Sequence, residues 1–279
     1  MFAALDLGGT KLLATTAADW AEPRPPVRRT TPGHDPLETL VAMLDELRGG
    51  GRLSGIAVAA PGPFERAAGR LVDPPNMPPA WHGLEISAPL SERYGCPVLV
   101  ENDANCAAVA ESRWGAGAGL RTVVYITVST GIGTGVVRDG RPLLGRHDSE
   151  GGHVVLWPEW LGGPACHCGG AGCLEALASG RAIERRFGRP PERLDDAAAW
   201  AEVGRWLGLA VVAITALHDP DAVVLGGGVC AAADRFWPAL TATVKRHLHL
   251  QPCPALRRAA LGEDRNLRGA LALLGDATR

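Results

Sequence analysis

Alternating blocks of apolar and mixed residues along the 279-residue chain predict an α/β protein. Short apolar runs bounded by glycine, proline or polar residues are typical of buried strands. Stretches with apolar residues three and four positions apart indicate amphipathic helices. The strands predicted in this way lie at 2–7, 11–18, 27–31, 54–60 and 97–103, with a strand, turn and returning strand over 122–137 and a last strand over 221–229. The predicted helices lie at 35–50, 104–114, 195–219 and 266–274.

Two of these helices have a clear apolar face. In the helix over 35–50, Asp35 is the expected N-cap and the inward side chains are Leu37, Leu40, Val41, Leu44 and Leu47. In the long helix over 195–219, the side chains expected to face the core are Trp200, Val203, Leu207, Ala210, Val211, Ile214 and Leu217.

The pattern strand, glycine-rich turn, returning strand occurs twice, at 2–16 and at 122–137. Such an echo, about half a chain apart, predicts two related α/β domains. We expect an N-terminal lobe over 1–115, completed by the C-terminal helix 266–279, and a C-terminal lobe over 116–265.

Composition and charge exclude several classes of protein. Apolar residues make up 46% and charged residues 21% of the chain, as in an ordinary globular protein, and the net charge is −2. No basic run resembles a nucleic-acid footprint, so we expect no nucleic-acid partner. The longest uncharged apolar stretch, Trp206 to Leu217, has 12 residues, so no membrane partner is expected. With no targeting segment visible, the expected location is the cytoplasm, where thiols stay reduced.

The first glycine-rich turn, "DLGGTK", places a carboxylate and a hydroxyl around two glycines. Gly8 and Gly9 permit a tight reversal, and their amides can approach phosphate oxygens closely. Asp6 could hold Mg²⁺ or its water, and Thr10 adds a hydroxyl. A plain β-hairpin is the alternative. The second turn, "STGIG", with Thr130, Gly131 and Gly133, has the same design, and the pair favours a phosphate site that is not a P-loop.

Polar residues also mark the point where the predicted strand 97–103 runs into a helix. Asn102 and Asp103 there suit helix capping, which is one interpretation. Capping needs only one of them, however, and α/β proteins bind ligands at the carboxyl ends of strands. The second interpretation is a carboxylate that takes a proton from a substrate hydroxyl.

The stretch "CHCGGAGCLE" predicts a structural zinc site. Cys166, Cys168 and Cys173, with His153 upstream, supply the three thiolates and one imidazole of a Cys₃His tetrahedron. Reduced, metal-free thiols are the alternative. Glu150 and Glu175 flank this set, and carboxylates beside an imidazole suit a polyhydroxylated ligand; simple solvation of both is the alternative.

Together these motifs resemble the ROK family of sugar kinases and sugar-responsive repressors. "DLGGTK", "PGP", "ENDANCAAVAE", "STGIG", "EGGH", "CHCGGAGCLE" and "VVLGGG" occur in the family's order, from about residue 4 to the C-terminus. The resemblance implies the actin-like ATPase (RNase H-like) fold, with two α/β lobes and a central cleft.

The resemblance also implies roles for individual residues. Asp103 is the implied catalytic base. The implied sugar contacts are Asn102, Asp103, Glu150, His153 and Glu175, with His153 using its second ring nitrogen for zinc. The implied nucleotide contacts are Asp6, Gly8, Gly9, Thr10, Lys11, Thr130, Gly131, Gly133, Gly226, Gly227 and Gly228, the last three beside adenosine. The implied cofactors are ATP with Mg²⁺ and a structural Zn²⁺.

The expected function is transfer of phosphate from ATP to a hexose, foremost glucose to glucose 6-phosphate, in carbohydrate metabolism (glycolysis). A kinase for N-acetylmannosamine, N-acetylglucosamine, mannose, fructose or allose is an alternative, and a non-catalytic sugar-binding regulator is another. The family implies a homodimer or higher homo-oligomer. One departure, "PPNMPPAW" in place of the family's "PNLPGW", leaves Asn76 without an assigned role.

Overall fold

The structure, a computed structural model, describes residues 1–20, 22–146 and 148–278. The strands in these residues are β1 (Phe2–Leu7), β2 (Lys11–Ala17), β3 (Val27–Thr30), β4 (Gly55–Ala60), β5 (Phe64–Glu65), β6 (Arg70–Leu71), β7 (Val98–Asn102), β8 (Thr122–Val128), β9 (Ile132–Arg138), β10 (Arg141–Pro142), β11 (Ala222–Gly226) and β12 (Ala255–Arg258). The helices are α1 (Pro36–Arg48), α2 (Ser87–Tyr94), α3 (Asp103–Trp114), α4 (Leu174–Ala178), α5 (Gly180–Phe187), α6 (Ala197–His218), α7 (Ala233–His247) and α8 (Arg265–Ala277).

The chain folds into two compact units. Unit 1 comprises residues 1–110 and 261–279, and unit 2 comprises residues 111–260. The sequence places the boundaries five residues later, at 115/116 and 265/266, and those limits stay a prediction.

Unit 1 is built on a five-stranded sheet in the order β3-β2-β1-β4-β7. β1 and β2 are antiparallel, whereas β1, β4 and β7 are parallel. Leu40 and Leu44 of α1 are buried in the core. Asp35 is the N-cap of α1, as predicted, but its side chain makes no capping hydrogen bond. α8 packs on β1 and β4, and Gly269 lies so close to the carbonyl of Cys106 that a Cβ would not fit.

Unit 2 repeats this arrangement. Its sheet has the order β10-β9-β8-β11-β12, again with an antiparallel hairpin followed by parallel strands. α6 and α7 pack against each other, and Gly204 and Gly208 of α6 bring its backbone against α7. The predicted α/β class is therefore confirmed, and the echo in the sequence corresponds to two sheets with one strand arrangement.

α6 forms the apolar centre of unit 2. Within the described residues it is the one helix whose length and composition would allow it to cross a membrane, a test that buried core helices also pass. Six of the seven side chains predicted to face inward are buried, but Leu217 is 75% exposed, so that prediction is wrong. At 100° per residue, Leu217 lies about 90° from the centre of the face formed by the ten buried residues of α6, at the edge of that face and in the last turn of the helix.

The two leucines of α6 give a matched test of this packing. Leu207 has no exposed surface, so we expect Leu207→Ala to lower the free energy of unfolding by about 2–5 kcal/mol. Leu217→Ala removes the same atoms at an exposed position and should change it by less than about 0.5 kcal/mol. Urea unfolding measures both values, and equal losses would contradict the assigned face of α6.

Candidate active site

The turn between β1 and β2 is a tight reversal. The N–H of Gly8 donates to the carbonyl of Lys11 at 3.0 Å. A Cβ on Gly9 would collide with the carbonyl of Asn76, so this glycine is required by a close backbone approach. Thr10 is exposed, and the Lys11 ammonium lies 3.1 Å from Glu263. The sequence thus missed the role of Asn76, whose carbonyl packs against the turn.

Asp6 lies in β1 directly before this turn. Its carboxylate accepts a hydrogen bond from Asn266 Nδ2 in α8 at 3.1 Å. Burial raises the pKa of Asp6 to about 6, although the hydrogen bond from Asn266 and the charges of Lys11 and Arg265 act in the opposite direction. Asp6 is therefore ionised at neutral pH in a poorly hydrated place, as a cation ligand would be.

Asn102 and Asp103 stand where β7 passes into α3. Asn102 Oδ1 accepts from the N–H groups of Ala104 at 2.9 Å and Asn105 at 3.2 Å, so Asn102 caps the helix. Asp103 is the first residue of α3, and its Oδ1 accepts from the N–H of Ala104 at 2.7 Å. Capping therefore accounts for Asn102 more fully than for Asp103.

The sheet register places Asp6 and Asp103 at the same edge of unit 1. Asp6 pairs with Ala59 of β4, and Ala59 pairs with Glu101 of β7, so Asp6 and Glu101 are in one row about 10 Å apart. Asp103 follows two residues beyond that row. Burial raises the pKa of the Cys106 thiol, and the charges of Glu101, Asp103 and Asp6 raise it further. The carboxylates thus gather around one end of the buried strands.

In unit 2, the turn between β8 and β9 borders a cavity of about 320 Å³. Ser129 and Thr130 of the turn, Gly180 and Arg181 of α5, and Gly228 line it, together with Glu184, Pro190, Pro191, Glu192 and Val229. The carbonyl of Ser129 accepts from the N–H of Gly180 at 2.7 Å, which fixes the turn on α5.

The predicted glycines of unit 2 have different surroundings. Gly133 lies within β9, opposite Thr127, whereas Gly131 lies in the turn. A Cβ on Gly226 would collide with the Tyr125 hydroxyl, and one on Gly227 with the backbone of Val128. Gly228 faces open space beside the cavity. Of the three consecutive glycines, Gly228 is therefore the one next to space for a ligand.

The "EGGH" segment is packed against β9. The N–H of Gly151 donates to Thr134 Oγ1 at 2.8 Å, and a Cβ on Gly152 would collide with the carbonyl of Ile132. Partial desolvation raises the pKa of the exposed Glu150, and the charges of Asp148 and Glu175 raise it further. The effect of Glu175 indicates that the two glutamates share one region of unit 2.

The three cysteines and His153 come together in unit 2. Their ligand atoms all lie within 4.8 Å of one another. Cys168 Sγ is 3.7 Å from Cys173 Sγ, and Cys166 Sγ is 3.6 Å from His153 Nδ1. A tetrahedral zinc with bonds of about 2.3 Å to sulfur and 2.05 Å to nitrogen would separate these pairs by about 3.8 and 3.6 Å. The donor set therefore fits zinc in both chemistry and spacing.

Glu175 is the most enclosed of the predicted sugar contacts in unit 2. It is 9% exposed, and its Oε2 accepts from the N–H of Ile132 at 2.8 Å. Its Oε1 lies 2.7 Å from Nδ1 of His167, a residue to which the sequence analysis gave no role. The motif "CHC" predicts its two cysteines as metal ligands, but its spacing gives no reason to assign a contact to the residue between them, His167.

Comparison with known proteins gives a consistent result. The profile of the ROK family matches residues 2–277. A glucokinase of Thermotoga maritima is 32% identical over 265 residues, which is 82% of each chain. The crystal structure of a ROK hexokinase from Thermus thermophilus superposes with a TM-score of 0.87 at 37% identity, covering 100% of this chain and 99% of that one. A ROK family glucokinase from Streptomyces griseus, solved in complex with glucose and AMPPNP, gives 0.81 at 27% identity over 98% of each chain.

The raised pKa of Asp6 generates a prediction about stability. Above pH 6 the folded state carries a charge that burial disfavours, and this cost is relieved as pH falls from about 6 towards 3.8. We expect Asp6→Asn, which keeps an acceptor for Asn266, to raise the free energy of unfolding at pH 7.5 by about 1–3 kcal/mol. The gain should shrink at pH 5.

Urea unfolding at the two pH values measures this difference. Glu92→Gln, which removes an exposed carboxylate of unit 1, is the control and should leave stability unchanged at both. A loss of stability in Asp6→Asn at pH 7.5 would contradict a desolvated, ionised Asp6.

Proposed function

Because the chain belongs to the ROK family, we propose that it is an ATP-dependent sugar kinase, with glucose as the leading substrate and glucose 6-phosphate as the product. The observation that carries the proposal is the edge of unit 1, where Asp6, the turn after it and Asp103 lie together. Transfer of a phosphoryl group to an alcohol needs a phosphate cradle and a carboxylate that accepts the hydroxyl proton. The complexes and activities of the similar proteins support the same reaction.

In the proposed reaction, Asp103 accepts the proton of the attacking hydroxyl. That hydroxyl oxygen forms a bond to the terminal phosphorus of ATP while the bond to the bridging oxygen breaks, and ADP leaves. Asn102, whose Oδ1 is engaged in the cap of α3, has its side-chain amide nitrogen to offer to a sugar hydroxyl. Both residues sit on the rigid junction of β7 and α3, which favours precise placement.

We assign the phosphates to the two glycine-rich turns. In unit 1, Gly8 closes the turn through its own N–H, and Gly9 and Thr10 offer their amides and the Thr10 hydroxyl to the phosphates. Asp6 would hold Mg²⁺ through its ionised carboxylate, with Lys11 adding positive charge. In unit 2, the cavity beside Thr130 and Gly228 has room for part of a nucleoside. Mg²⁺ bound with ATP supplies neutralisation of the phosphate charge.

We assign the sugar hydroxyls of the substrate to Glu150, His153 and Glu175 in unit 2, in addition to Asn102 and Asp103. Carboxylate oxygens and an imidazole nitrogen are directional acceptors for hydroxyl groups. Nδ1 of His153 faces Cys166, which leaves Nε2 for the sugar in this assignment.

A structural Zn²⁺ on His153, Cys166, Cys168 and Cys173 belongs to the proposal. When bound, it supplies rigidity to the loop that leads into α4, the helix that carries Glu175, and contributes to folding. The spacing of the four donor atoms supports this assignment.

We further propose that the protein is cytoplasmic and forms a homodimer or a higher homo-oligomer. Reduced thiols, which the zinc assignment requires, are those of a reducing compartment. Light scattering of the purified protein measures the number of chains.

A panel of hexoses in a coupled ADP-release assay identifies the substrate and separates the proposal from a non-catalytic sugar-binding regulator. The kinase predicts turnover with at least one hexose, glucose first, and higher activity with another sugar on the panel would assign that sugar instead. Tight sugar binding without turnover by any member of the panel would favour the regulator.

Asp103→Asn tests the assigned base. We expect kcat to fall about 10³-fold, because a general base contributes about 10²–10⁴, while the sugar Kd stays within about threefold. The amide can still accept from the N–H of Ala104, so α3 is preserved. Asp35→Asn, at an exposed left-handed position that asparagine tolerates, is the control. Turnover near the wild-type rate would remove Asp103 from the role of base.

Cys168→Ser tests the metal assignment. Elemental analysis should find one zinc per chain in the wild type and loss of zinc in the variant, together with a lower Tm and weaker sugar binding. Cys253→Ser, which alters an exposed cysteine outside the set, should keep its zinc. Full zinc occupancy in Cys168→Ser would show that the ligand assignment is wrong.

A further inference from the structure

His167 lies between two proposed metal ligands in the sequence, and its side chain contacts the carboxylate of Glu175. Its Nδ1 lies 2.7 Å from Glu175 Oε1, and its side chain is 32% exposed against 11% for that of Glu175. The other oxygen of Glu175 accepts from the N–H of Ile132 at 2.8 Å. Both oxygens of this nearly buried carboxylate are therefore held, one by the first residue of β9 and one by the loop 166–173 that carries the three cysteines, the cysteine loop.

Two donors leave the carboxylate with capacity for further bonds. An ionised carboxylate has about four acceptor positions, so two are available for hydroxyl groups once Ile132 and His167 have taken theirs. Fixing both oxygens also restricts rotation of the carboxylate. The acceptor oxygens are then already fixed before a ligand hydroxyl binds, so less conformational entropy is lost on binding.

The backbone around His167 is itself fixed. The N–H of Cys166 donates to the carbonyl of Gly170 at 2.8 Å, and the N–H of Gly169 donates to the carbonyl of Cys166 at 3.2 Å. The thiols on both sides of His167 belong to the proposed metal set. The imidazole also packs edge-on against the ring of His153, with centroids 5.5 Å apart. These contacts hold the donor in one place.

We infer that His167 is a positioning residue that fixes Glu175 for recognition of one hydroxyl of the sugar. The inference rests on the proposed function, since it takes Glu175 as a sugar contact. The cysteine loop would then contribute to substrate selection. The proposed metal ligands on either side of His167 fix its position, and His167 fixes the position of the Glu175 carboxylate.

Three substitutions separate the roles of the two ring nitrogens. His167→Ala removes the donor. His167→Asn keeps an amide N–H about where Nδ1 stands, whereas His167→Gln carries its amide about where Nε2 stands. His249→Ala, which removes an exposed imidazole of unit 2, is the matched control. The sugar Kd is measured by calorimetry with glucose, and kcat, zinc content and Tm are measured on the same preparations.

We expect His167→Ala and His167→Gln to weaken glucose binding about tenfold while kcat changes by less than about threefold. His167→Asn should stay within about threefold of the wild type, as should the control. Zinc content should remain that of the wild type in all four variants. Unchanged glucose binding in His167→Ala, or no rescue by asparagine, would overturn the inference.

Deoxy sugars give a readout that a purely structural role would not move. In the wild type, removal of the hydroxyl held by Glu175 should weaken binding strongly. In His167→Ala, the penalty for that one deoxy sugar should shrink at least threefold, while the penalties for the other deoxy sugars stay the same. Equal changes for every analogue would show a general loss of structure and overturn the inference.

Two further outcomes are informative. Loss of zinc from His167→Ala would overturn the inference, because His167 would then act through the metal site. His167 could reach a metal, since its ligand atom lies within 4.8 Å of those of His153 and Glu175. Failure of the wild type to phosphorylate any sugar would reject the proposed kinase activity, whereas the binding measurements would still decide the role of His167.

Discussion

The buried parallel strands of each sheet confine polar chemistry to their carboxyl ends. β4 and β11 are buried along their whole length, and β8 nearly so, so a carboxylate within them would lie in apolar surroundings. At the ends of the strands the chain turns, and backbone amides, helix N-termini and side-chain oxygens become available to a ligand. Asp6 and Asp103 occupy such ends in unit 1, and Thr130 and Gly228 occupy them in unit 2. The proposed chemistry follows from this constraint.

Within unit 2, a single carboxylate connects three parts of the candidate site. Glu175 accepts from the N–H of Ile132 at the start of β9, lies beside His167 of the cysteine loop and raises the pKa of Glu150 in "EGGH". A change in any one of these segments would move an acceptor proposed to bind the sugar. This arrangement gives a physical reason for a structural metal in unit 2, because a bound metal would fix the loop that carries His167, and His167 contacts the carboxylate of Glu175.

The sequence predicted the α/β class and both hairpins because glycine-rich turns between apolar runs are local features. It also predicted the grouping of His153 with three cysteines, which the structure brings within 4.8 Å, since the spacing of cysteines reports metal chemistry directly. Helix α7 was missed, and it carries Pro238 inside an otherwise regular helix. A proline there interrupts the pattern that indicates a helix.

The partners of the site residues were beyond sequence analysis because they are distant in the chain. Asn266 donates to Asp6 across 260 positions, and Glu263 pairs with Lys11 across 252. The separate roles of Gly226, Gly227 and Gly228 also depend on contacts with Tyr125 and Val128 that no local pattern reveals. Candidate residues could thus be named from motifs, whereas the groups that position them required the fold.

Phosphorus NMR of the wild-type protein with ATP, Mg²⁺ and glucose tests the central claim most directly. The account predicts a growing hexose 6-phosphate resonance that matches the ADP formed, with no inorganic phosphate beyond a trace. Release of inorganic phosphate in place of the sugar phosphate, or no consumption of ATP while glucose binds, would contradict it.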